Sequence, residues 1–310
     1  MSMVSDITDL FTTKLGTDLF DKTGQFIQGI APIFSAGMAV YVVLLAFYYY
    51  NRGLDDAIMD LFKRIMVWLL IIALAFNAGN YSQLANVIYV MPDELSSLFG
   101  GQGTTANAVD TGMQNIDKMV VSIGKIGEGA DWDDIATHLA VWGGQIIAYI
   151  AGYWLFMFAF AFYLIAKACL ALTLMVGPLF IGAALFPGTR QYFMNWMGQC
   201  LNFIMTIVFF AIISFMQSEF VSGHVEKWAK DQSVWTLAKM WDIVGQMIAM
   251  TILFTLVMLS VPSIASALTG GAQADAHGRT IGRAMGGANR WVRALKVGGA
   301  AGRANRASRD

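Results

Sequence analysis

Apolar residues run along this chain in long stretches with short polar interruptions, and the spacing within each stretch predicts helix throughout. Near the start, Ile7, Leu10, Phe11, Leu15, Leu19 and Phe26 recur at helical spacing among Asp6, Asp9, Asp18 and Asp21. That pattern predicts an amphipathic helix lying along a membrane surface over residues 1–31. Residues 32–50 are apolar and uncharged, close to the ~20 residues a bilayer requires, and Tyr48, Tyr49, Tyr50 and Arg52 close the run as an interfacial anchor. Residues 65–76 are strongly apolar but short. Leu84, Val87 and Ile88 carry the helical spacing on to Met91-Pro92. One long helix that crosses the bilayer and then protrudes is expected, and residues 32–90 then hold two crossings.

Residues 91–137 form a polar segment in which Val109, Met113, Ile116, Val120 and Ile123 alternate four and three apart. This is the spacing of a helix seam, too short for a coiled coil. It is read as an oligomer or partner contact, with packing on the chain's own helices as the other way to cover it. Residues 138–268 form the apolar core, with clean spans at 138–166, 199–217 and 243–268.

Within that core, residues 168–189 are apolar but interrupted. Gly177-Pro178 lies in the middle, Pro187-Gly188 at the end, and Lys167 and Arg190 on the flanks. Proline removes a helix donor and disfavours helix at the residue before it. Backbone freed at membrane depth must be buried in protein or line a wet cavity. A re-entrant hairpin, or failing that a kink in an ordinary helix, follows from Gly177, Pro178 and Pro187.

Charge turns this pattern into a topology. Charged residues make up 13% of the chain, about half the share of a soluble domain, and mean hydropathy is +0.57. The chain is therefore expected to be an all-α membrane protein with about five crossings, one re-entrant or broken hairpin and amphipathic helices on the far side. Arg52, Lys63 and Arg64 favour a cytoplasmic loop after the first span. Residues 269–310 form a Gly/Ala-rich tail in which Arg279, Arg283, Arg290, Arg293, Lys296, Arg303, Arg306 and Arg309 face only Asp275 and Asp310. If residues 168–186 do not cross, Lys167, Arg190 and this tail all lie inside, and the N-terminus and the acidic segment 93–137 lie in the periplasm. The loop 219–242, with Lys227, Lys230 and Lys239, then sits outside, against the trend. The first residues lack the basic-then-apolar layout of a cleaved signal peptide.

Candidate chemistry is sparse. No nucleophile elbow or paired-histidine zinc motif occurs, and His138, His224 and His277 are too scattered to share a metal. Residues 100–103, GGQG, read as a flexible loop rather than a phosphate cradle. Cys169 and Cys200 sit in apolar runs and read as structural thiols. The tail's arginines fit a topology anchor or weak lipid binder better than a nucleic-acid grip. No enzyme activity, cofactor or metal is expected. A solute transporter with a broken substrate-binding helix is the alternative, although transporters ordinarily bury carboxylates in their spans and none is apparent in these runs. Phe193 and Trp196 can be read simply as interfacial aromatics.

The stretch LTLMVGPLFIGAALFPGTRQYFMNWMGQCLN resembles the TrbL-type inner-membrane subunits of bacterial type IV secretion and conjugation machines. An apolar helix enters Gly-Pro-Leu-Phe, Leu-Phe-Pro-x-Thr-Arg follows, and an aromatic turn containing Trp196 leads into Asn202. The chain's length and layout agree. The resemblance implies a non-enzymatic channel and assembly-platform subunit in the bacterial inner membrane, with Lys167, Arg190 and Trp196 in its cytoplasmic-side motif. It implies a homo-oligomer whose partners are pilin and minor pilin, a bitopic scaffold subunit, secretion ATPases, membrane lipids and the DNA or protein in transit. The segment 93–137 would then handle substrate.

Overall fold

A computed structural model describes residues 6–8, 10, 15–50, 57–99, 105–129, 131–230 and 236–269. The basic tail, the 100–103 loop and Arg52 lie outside these residues. All regular structure among them is helical: α1 Leu15–Tyr50, α2 Ala57–Ala75, α3 Ala78–Ser97, α4 Thr105–Glu128, α5 Ile135–Met175, α6 Gly177–Ala183, α7 Arg190–Lys230 and α8 Leu237–Leu268. The expected all-α membrane protein is present. Four helices (α1, α5, α7 and α8) are long and apolar enough to cross a membrane, and the bent pair α2–α3 makes up to five.

The centre is a bundle of α5, α7 and α8, with α4 laid into the groove between α5 and α7. α5 and α7 each have 41 residues. At ~1.5 Å per residue each is about 60 Å long, roughly twice the hydrocarbon thickness of a bilayer. α8 runs beside α5: Met240 packs on Gly144, and the Thr251 hydroxyl donates to the Ala151 carbonyl at 3.1 Å.

α4 shows how the seam is covered. Val109, Ile116 and Ile123 are fully buried, Met113 is buried and Val120 is half-buried. Two glycines provide the fit. A Cβ on Gly112 would overlap the Phe156 ring, and one on Gly152 would lie 2.7 Å from Ile116 Cγ2, so each helix sets a large side chain on the other's glycine. Gln145 Nε2 donates to the Val120 carbonyl at 3.1 Å, and Asn115 Nδ2 to the Ser222 hydroxyl at 2.6 Å. The expectation that Val109, Met113, Ile116, Val120 and Ile123 form an oligomer or partner contact is therefore corrected. The chain's own α5 and α7 cover this face, which is the other reading the spacing allowed.

Three further expectations change. The two segments drawn over residues 1–50 join in one continuous helix from Leu15, because Pro32 removes a single ladder donor without ending it. Thr23 and Ile27 on its first half are buried, and α1 contacts α3 and α5, so this face meets protein rather than a membrane surface. The long helix expected over residues 65–91 is bent by 78° between α2 and α3. Asn77 causes the bend: its backbone is extended (φ −102°, ψ 110°), and its side chain caps α3 by accepting from Asn80 N at 3.2 Å. Asn80 Nδ2 in turn donates to the Ala73 carbonyl, 3.0 Å away, at the end of α2. Finally, residues 168–175 are the last two turns of α5, not one arm of a hairpin. Only the seven residues of α6, about 10 Å of helix, remain of the re-entrant segment.

Candidate functional site: the junction of α5, α6 and α7

Gly177-Pro178 ends α5 and starts α6, with the proline in the first turn, where its missing N–H costs nothing to α6 itself. The cost falls on α5. In a continuous helix the Leu174 carbonyl would accept from residue 178, which is proline and has no N–H. The hydroxyl of Tyr81, reaching over from α3, donates to that carbonyl instead. One residue earlier, Trp196 Nε1 on α7 donates to the Thr173 carbonyl at 2.9 Å. Two aromatic donors from two other helices thus satisfy the acceptors that the break exposes. Gly177 is required by this closeness. A Cβ there would fall on the Tyr81 hydroxyl and 2.8 Å from Trp196 Cζ2.

Trp196 is therefore a structural donor, only 8% exposed, and not an aromatic floating at a membrane interface. Phe193 stacks on it, ring centroids 6.1 Å apart. Pro187 sits exposed in the turn between α6 and α7, where the Thr189 hydroxyl donates to the Ala183 carbonyl at 2.6 Å and closes the turn. Arg190 opens α7 and is exposed. The structure thus brings Gly177, Pro178 and Trp196 into one contact, with Pro187 and Arg190 on its outer rim.

Lys167 lies elsewhere. It is buried within α5, eight residues before the helix ends, and its ammonium pairs with Asp93 of α3. The Tyr163 hydroxyl donates to the other carboxylate oxygen at 2.6 Å, and the rings of Tyr89 and Tyr163 lie 5.0 and 5.7 Å from the ammonium. An ammonium in an apolar bundle needs such a partner, because desolvation is not repaid without close pairing. The placement of Lys167 at a flank, across the membrane from Asp93, is thus corrected: the two share one level of the bundle. Taking Met91-Pro92 as a helix end had hidden Asp93, since Pro92 lies inside α3 and the helix runs on to Ser97. A lone lysine in a 41-residue apolar helix was the available signal that a carboxylate must face it.

The junction also borders a cavity of about 760 Å³ between α2, α3, α6 and α7, lined mainly by aliphatic and aromatic side chains. Cys169 and Cys200 are free thiols. Among the described residues, no three His, Cys, Asp or Glu side chains gather as a metal would require.

A profile of the TrbL/VirB6 plasmid conjugal transfer protein family matches residues 38–261, well over half of the chain and including the whole junction. The chain belongs to the TrbL/VirB6 family. It is accordingly a multi-pass membrane subunit of a conjugal transfer or type IV secretion system. No curated protein matches it significantly. In this TrbL/VirB6 chain Thr173, Leu174, Gly177 and Trp196 of the resembling motif meet at the α5–α6 break, where Tyr81 of α3 joins them.

Proposed function

We propose that this TrbL/VirB6 protein is a non-catalytic channel and assembly-platform subunit of the bacterial inner membrane, supporting substrate transfer and pilus assembly through contacts alone. The observation that carries the reading is the length of the α5–α7 rod. Helices of about 60 Å extend well beyond one bilayer, and α5 displays Leu139, Trp142, Ile146, Ile150 and Trp154 along an exposed face near its start. A large apolar stripe of this kind suits other subunits, whether copies of the chain, pilins or a scaffold. Orientation follows from charge. α8 ends beside α7, with the Thr269 carbonyl 3.8 Å from where a Gly198 Cβ would lie, so Thr269, the residue before the basic stretch, lies toward the end that carries Arg190. In this reading that end faces the cytoplasm and the N-terminus faces the periplasm.

Deleting the gene from a conjugative donor should abolish substrate transfer and pilus production together, and Trp142→Asp should weaken co-purification with partner subunits while the chain still inserts. Loss of small-solute uptake with transfer and pili intact would overturn the assembly role.

A further inference from the structure

We propose that the cavity between α2, α3, α6 and α7 is a binding site for one anionic glycerophospholipid, its acyl chain in the groove and its phosphate at Arg64 and Arg190. The shape carries the first part of the argument. Along α7 the lining runs as one stripe from Arg190 through Trp196 to Ile204, fifteen residues spanning about 21 Å. One leaflet, headgroup included, is half of the ~40–45 Å of a whole bilayer, so the groove matches a single leaflet in length. Its volume, about 760 Å³, lies within the ~300–1,000 Å³ usual for ligand sites.

The groove is open to a membrane on its side. Val67 and Leu70 of α2 and Met197 and Leu201 of α7 line it while keeping a third or more of their surface exposed. A chain could enter laterally from the hydrocarbon without crossing water. Chemistry fixes the polarity of the occupant. Arg190 opens the α7 stripe, and Arg64, bonded to the Tyr41 hydroxyl at 3.4 Å, opens the α2 side, whereas Ile88, Met91 and Ile204 line the far part. No carboxylate is among the described residues lining the groove. Two guanidinium groups at one end of an apolar slot of leaflet length select a headgroup phosphate with a tail attached. An apolar protein helix would fill the slot but would offer no anion to the exposed Arg190 at its mouth. The site also touches the junction: Trp196, which holds the Thr173 carbonyl, forms part of its wall, so an occupying lipid braces the α5–α6 break. The inference does not depend on the assembly role.

The test uses the full chain in dodecylmaltoside micelles, titrated with dioleoyl phosphatidylglycerol or dioleoyl phosphatidylcholine and read by native mass spectrometry. The anionic lipid is expected to bind about tenfold more tightly or better, since basic side chains near a membrane surface favour a net negative headgroup. Arg64→Gln with Arg190→Gln should erase that preference, and Ala184→Trp, which fills the slot, should weaken both lipids. The exposed Lys125→Gln should change nothing. Where the double variant fails to fold, Arg190→Gln alone should lower the preference severalfold. Equal binding of the two lipids, or a preference that survives the arginine changes, would overturn the proposal. So would a photo-crosslinker at Met197 that captures a protein helix in cells rather than lipid.

Discussion

Two of the described helix breaks, at Asn77 and at Gly177, are closed by opposite means. At Asn77 the closing groups come from within seven residues, as Asn77 caps α3 and Asn80 reaches back to Ala73. At Gly177 they come from 93 residues upstream and 23 downstream, through Tyr81 and Trp196. The first bend is both made and closed locally, whereas the second is made by a local proline and closed only when α3 and α7 are docked. Breaks of the second kind report on tertiary assembly, and substitutions there should propagate.

The largest effect is expected at Gly177→Val, where the added carbon collides with Tyr81 and Trp196 together. A loss of about 3 kcal/mol or more should appear as a lower unfolding midpoint in detergent and as aggregation on gel filtration. Next comes Lys167→Met, which removes the partner of Asp93 and loosens the helix that presents Tyr81. Breaking a buried pair costs ~3–5 kcal/mol, and because Asp93 is 35% exposed about 2 kcal/mol is expected here. Adding Asp93→Leu should restore most of it, and a double variant no better than the single would show that the pair does not stitch α3 to α5.

The comparison itself is sharpened by Tyr81→Phe, expected to cost about 1–3 kcal/mol by taking away the inter-helix donor of the buried Leu174 carbonyl and leaving it only the adjacent Val176 N–H. In a Pro178→Ala background residue 178 regains an N–H for Leu174, so the same change should cost about 1 kcal/mol less. Additive costs would mean that Tyr81 does not stand in for the missing proline donor. Asn77→Ala should cost about 1 kcal/mol, as lost N-caps do, and should leave hydrogen exchange at residues 173–178 unaltered. The smallest effect concerns Asp134, which caps α5. Hydrogen bonds from the Thr137 hydroxyl and backbone N–H hold its carboxyl below the usual carboxylate range. A depressed value means the cap contributes at neutral pH and is lost as pH falls through the folded value. Asp134→Asn should therefore flatten the acid side of a stability–pH curve and little else.

Much of this was legible in the residues, and what was not has a common cause. Helical class, span count, the Gly177-Pro178 break and the α4 seam all follow from spacing and proline chemistry, which act locally. The partners of those features were not legible, since the donor for Leu174 sits in another helix and nothing in a 3.6-residue period names it. The capping role of Asn77 was not legible either, because apolar helical spacing resumes beyond it and suggests one uninterrupted helix. Lys167 was misplaced for a related reason. Read as the edge of a run it anchors a span, and only the continuation of α5 to Met175 makes it an interior charge. Trp196 was picked out as significant, but its bond to the Thr173 carbonyl of its own chain was not legible.

The mutual seating of Phe156 on Gly112 and Ile116 on Gly152 gives the α4–α5 pair the character of a keyed shaft. Sliding α4 by one turn would drive a phenyl ring into backbone, so the two helices translate and tilt only together.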